Sequence, residues 1–138
     1  MPIRALLALA TVVTIAASAP AAEWSPPAYA KESTLELKTI AAGEGEHWFP
    51  VWLVVIDDQL YVRLGARAAG RIERNTTAPF VGVRVAGQEF PRLKGIPAPE
   101  KAERVGQAMA DKYWSDVVIR HFNHPLTLRL VPEPDAKQ

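Results

Sequence analysis

Four arginines fall within twelve residues of this chain: Arg63, Arg67, Arg71 and Arg74. Gly65 and Gly70 are interleaved with them, and Asn75 follows directly. Arg67, Arg71 and Arg74 stand at four- and three-residue steps, so a helix would set them on one face. Guanidinium groups offer paired donors with permanent charge, and glycine lets backbone N–H groups approach a ligand. Together these residues could cradle a phosphate or a carboxylate. The same pattern also suits a solvated helix face with Glu73 as a surface partner, and the residues alone leave both readings open.

Other candidates carry less. Trp48 and Phe49 stand beside a turn, where an aromatic could wall a flat ligand; Trp52 sits among valines and reads as core. His121 and His124 are three residues apart, but Pro125 argues against a helix and no cysteine or clear third ligand accompanies them. No metal site is expected from that pair. Ser33 and Ser115 lie in no nucleophile-elbow context, so no catalytic residue is assigned.

The elements that must position the arginines can be read around them. Val51 to Ile56 is six consecutive apolar residues, the pattern of a strand buried on both faces. Asp57-Asp58-Gln59 is short enough for a hairpin turn, and Leu60 to Leu64 returns as its partner. Thr34 to Ala41 alternates as a half-buried strand, with Leu35, Leu37 and Thr39 on one face. Phe80 to Ala86 and Glu89 to Ile96 form a second hairpin, and Leu126 to Val131 a last strand. Between them, Glu100 to Trp114 carries a helical stripe of Ala102, Val105, Met109 and Tyr113, with Pro99 at its entry. Tyr113 and Trp114 would anchor its end. Six short strands with helices at the side predict an α+β barrel, with a short helix after the third strand.

The N-terminus reads differently. A basic start at Arg4, an apolar run from Ala5 to Ala17 and Ala19-Pro20-Ala21 form the pattern of a cleaved secretory signal over residues 1–21. The run is shorter than the roughly 20 residues a membrane-spanning helix needs, so no stable insertion is expected after processing. A periplasmic or secreted protein follows as the expectation. Removal of Arg4 would leave fifteen basic residues against fifteen acidic ones, which argues against general nucleic-acid binding. The chain has no cysteine, so its stability must come from the core. Residues 22–33 read as an extended Pro-rich lead-in, 34–132 as the barrel domain and 133–138 as a polar tail.

The strand order, with Pro50-Val51-Trp52, Leu60-Tyr61-Val62-Arg63, Gly65 to Asn75 and Val81 to Val85, resembles the split β-barrel of pyridoxamine-phosphate-oxidase-like proteins. The similarity is greatest to an uncharacterised domain family there and, more distantly, to the deazaflavin-dependent nitroreductases. What the resemblance implies is a six-stranded, mostly antiparallel split barrel with one long C-terminal helix. It also implies a homodimer with a flavin such as FMN, or a deazaflavin, in the groove between subunits, and an oxidoreductase activity. In the nitroreductase-like relatives a Ser-Lys-Gly-Gly segment holds the cofactor phosphate, and Arg67 stands at the place of that lysine. Asn75 matches the asparagine of the Trp-Tyr-x-Asn segment that follows. The implied ligand set is Arg63, Gly65, Arg67, Arg71, Arg74 and Asn75, with Trp48 as an apolar wall. A cofactor-free small-ligand module on the same fold is the competing expectation.

Overall fold

A computed structural model of the chain describes residues 23–113 and 126–133. The segment read as a signal, the His121/His124 pair, Trp114 and the end of the tail lie outside the described residues. Six strands form one closed antiparallel barrel: β1 (Thr34–Ala41), β2 (Gly45–Ile56), β3 (Gln59–Leu64), β4 (Phe80–Val85), β5 (Gln88–Pro97) and β6 (Leu126–Pro132). Around the barrel the order is β1-β2-β3-β6-β5-β4, with β4 returning to β1. Helix α1 (Ala66–Glu73) follows β3, and α2 (Ala102–Lys112) follows a 3₁₀ turn over Pro99–Lys101.

Strand periodicity sets the barrel interior. Leu35, Leu37, Leu53, Leu60, Val62, Leu64, Val83, Leu128 and Leu130 point inward and are buried. Each such side chain contributes about 1.5–3 kcal/mol through its removal from water, so this interior dominates the stability. The apolar run in β2 is covered on both faces, as its composition implies. Val51, Leu53 and Val55 join the interior, while Trp52, Val54 and Ile56 lie under α2 with Val105 and Met109. The outer cover of this strand is therefore the chain's own helix, and its burial needs no partner subunit.

α2 begins at Ala102, the first residue of its stripe and two residues after the expected start at Glu100, because the prolines tighten the entry into a 3₁₀ turn. It ends at Lys112, and Tyr113 turns out of the helix with φ −120° and ψ 104°. This geometry serves the sheet. Pairing of β1 with β2 stops at Thr34 and Trp52, leaving the next two carbonyls, of Ser33 and Leu53, beyond the β1–β2 ladder. The Tyr113 hydroxyl lies 2.6 Å from the first and 2.7 Å from the second, and Lys112 Nζ donates to Leu53 and to Glu32.

The lead-in differs from its reading as an extended segment. Pro26–Tyr29 forms a 3₁₀ turn, which proline's fixed φ favours at its first positions. Tyr29 is buried, and Trp24 donates its indole N–H to the Leu130 carbonyl at 3.2 Å. Trp24 and Tyr29 meet Phe90 at centroid distances of 5.0 and 6.1 Å, closing one end of the barrel with aromatic rings. The opposite end is covered by α1, whose Ala68 and Ile72 pack against the interior.

Candidate functional site

The arginine segment lies at the α1 end, and its local structure follows from Gly65. This residue leaves β3 in extended conformation, φ −72° and ψ 177°, and starts α1 without a side-chain cap. The first turn of the helix holds Arg67 and no acidic residue. Helix N-termini carry unsatisfied N–H groups and partial positive charge, and acidic side chains ordinarily complement them. Here the charge is reinforced, which favours an anion at this point.

Two clefts meet at this helix start. One, of 280 Å³, runs between Pro50, Trp52, Arg63, Gly65 and Ala68. The other, of 500 Å³, lies between Phe49, Pro50, Gly65, Arg67 and Arg71. Pro50, Gly65 and Ala68 line both, so they form one groove with arginines at each end. Arg71 Cζ lies 5.8 Å from the Phe49 ring centroid, a cation–π contact that orients the guanidinium over an apolar wall. Arg63 also borders a 320 Å³ cleft beside α2, where a Cβ on Gly106 would sit 3.9 Å from its Cζ.

Arg63, Gly65, Arg67 and Arg71 are thus brought together. Arg74 is exposed and lines neither cleft. Asn75 is buried and its amide is engaged by backbone: Oδ1 accepts from Ile40 N at 3.1 Å and Thr77 N at 3.2 Å, and from Thr77 Oγ1 at 2.9 Å. Its Nδ2 donates to the Phe80 carbonyl at 2.8 Å. The residue ties the turn after α1 to β1 and β4. Trp48 lies on the outer face of β1, β2 and β4, with Arg84 Cζ 3.8 Å from its ring centroid. Strand alternation separates it from Phe49, which faces the groove.

Trp52, expected as core, is half-buried and walls the groove. Its ring stacks on Tyr113 at 5.3 Å and 15°. The available signal was its place opposite Arg63 in the β2–β3 register. Tyr113 is itself fixed: burial pushes its pKa up to about 12 against the opposing effect of the Leu53 hydrogen bond. Beside it, burial lowers the pKa of Lys112, and Glu32 pulls the other way. Among the described residues no group of three or more His, Cys, Asp or Glu could hold a metal ion.

No protein-family model and no curated protein matches the chain. Solved structures do. The heme storage protein HutZ from Vibrio cholerae is 19% identical, with a TM-score of 0.58 over 78% of this chain and 87% of that one. An F420-H2-dependent reductase, FDR-A, is 12% identical, with a TM-score of 0.54 over 72% of this chain and 94% of that one. A protein described as a domain-swapped dimer gives 12% and 0.55 over 72% of this chain and 80% of that one. What these structures share with the chain is the fold, the six-stranded, mostly antiparallel α+β split barrel that the strand order predicts.

Proposed function

We propose that the groove at the start of α1 binds a flavin-type ligand carrying a phosphate, FMN or a deazaflavin, in an exported homodimeric protein. The observation that carries this reading is the junction of two clefts at an uncapped helix N-terminus, with Arg67 and Arg71 at one end and Trp52 and Arg63 at the other. Arg67, Arg71 and the first-turn N–H groups would hold the phosphate, while Trp52, Pro50 and Phe49 would flank the ring. When bound, such a cofactor supplies hydride or electron transfer, and an oxidoreductase follows. The protein's own part is to orient the ring and keep water from one side of it.

Two of the similar structures are described by a large planar conjugated ligand, heme in one and the F420 deazaflavin in the other. The residues here favour the flavin type. Among the described residues neither cleft is lined by histidine, cysteine, methionine or tyrosine, so none of the described lining residues offers a heme iron an axial ligand. Export rests on the N-terminal pattern, and the homodimer on the resemblance.

The test is a spectral titration of the purified protein with FMN, F420 and riboflavin. A phosphorylated flavin or deazaflavin should bind at least about tenfold more tightly than riboflavin, as one charge-assisted contact of 1.4 kcal/mol requires. Equal affinity for FMN and riboflavin, or binding of none of the three, defeats the reading.

A further inference from the structure

α1 covers only part of its end of the barrel. Beyond Ile72, on the side of β4, β5 and β6, a cleft of 180 Å³ opens between α1 and the inward-facing residues Val81, Gly95, Pro97 and Leu128. The turn at Ala78 and Pro79 forms its rim, and Asn75 borders it. We propose that this barrel mouth is a second binding site, separate from the arginine groove, for a small apolar ring of benzene to toluene size.

Three observations carry it. Apolar cavities of about 150 Å³ in protein cores stay dry and accept benzene or xenon, and this space is of that order. A resident water would need two to four polar partners, and the lining does not supply them. Asn75 is the polar side chain at the border, and both its oxygen and its nitrogen already serve Ile40, Thr77 and Phe80. Removing apolar surface from water is therefore the attraction available to an occupant, and polar ligands are disfavoured.

The lining is also graded in a way a ligand site needs. Val81 and Leu128 at the floor are buried, while Ala78, Pro79 and Pro97 at the rim are exposed and leave an entrance. Gly95 makes the room. A Cβ there would lie 3.5 Å from Leu128 Cδ1 and 3.9 Å from Val81 Cγ1, in ordinary contact. A larger side chain at this position would grow into the cavity. The mouth of a barrel is a preferred place for small-molecule pockets, because strands fix the walls while loops shape the opening.

Toluene titration of the full chain, followed by methyl NMR, decides the matter. Saturable shifts are expected at Ile72, Val81 and Leu128, with Leu35 and Leu53 unmoved, and thermal stability should rise with toluene. Gly95→Val should abolish the shifts and leave FMN titration unchanged, so failure here and failure of the groove are separately visible. If Gly95→Val does not fold, Gly95→Ala is the second variant, expected to weaken toluene binding about threefold or more by occupying part of the space. Shifts that do not saturate, that spread to both barrel ends, or that persist at full strength in these variants overturn the proposal.

Discussion

The two ends of this barrel are closed in opposite ways. At one, Trp24, Tyr29 and Phe90 interlock as aromatic rings, with centroids 5.0 to 6.1 Å apart. At the other, an eight-residue helix rich in arginine lies across the opening, and its lining leaves clefts on both sides. The first end buries apolar surface with little left over. The second spends part of its surface on charge and space, and there the chain can hold another molecule. Close packing and ligand capacity compete for the same volume, and this fold assigns them to different ends.

That contrast can be broken most severely at the plug. Phe90→Ala should cost about 3–5 kcal/mol in chemical denaturation, as aromatic-to-alanine changes in a core do, with ligand affinity per folded molecule unchanged. A loss below 1 kcal/mol would mean the aromatic end is not the stabilising one. At the other end, Asn75→Ala should cost about 1–3 kcal/mol, because the Ile40 and Thr77 N–H groups lose their acceptor. If stability holds and flavin binding falls, Asn75 is a ligand residue after all.

Arg67→Ala sharpens the comparison from the side of binding. FMN affinity should drop about 10- to 100-fold, one charge-assisted contact's worth, while riboflavin affinity stays the same. The unliganded melting temperature should scarcely move, since an exposed arginine contributes little to folding.

The smallest effect is expected between the ends, at Tyr113. Its folded pKa stands at about 12, above the ordinary 10, so its contribution is fully present below pH 10 and is lost between pH 10 and 12. Lys112 acts with the opposite sign: its lowered pKa weakens the fold while it is charged, and that cost is relieved as pH rises toward 10.5. Tyr113→Phe should cost about 1 kcal/mol at neutral pH and show a flatter loss of stability across pH 10–12 than the unsubstituted protein. Parallel pH curves would show that the hydroxyl is not the titrating group.

The arginine groove was legible because its parts are neighbours in sequence. A strand, a glycine and a helix carry Arg63, Arg67 and Arg71 to one place with no distant contact required. What could not be read was set by pairing between distant segments. Trp48 and Phe49 are adjacent, and only the register with β1 decides which faces the groove. Asn75 looked like a ligand residue because its partners, Ile40 and Phe80, belong to strands that approach only in the folded barrel. The Pro-rich lead-in read as extended since local propensity says nothing of the Phe90 ring waiting for Trp24. Its two aromatics were the clue. Trp52 was half legible: its strand was rightly read as covered on both faces, but not that its outer residues also border a cleft.

One feature of the barrel bears on how the protein comes into being. β6 pairs with both β3 and β5, joining Leu64 to Leu126 and Leu93 to Pro132. Until this late strand arrives, the first five strands form an open sheet with two raw margins, each able to recruit a strand from another chain. Closing contacts so distant in sequence is slow, on the order of milliseconds to seconds for barrels of this kind. A ribosome stalled just short of Leu126 would therefore release a product that holds most of the apolar core yet stays adhesive, and seven residues separate that species from a sealed one.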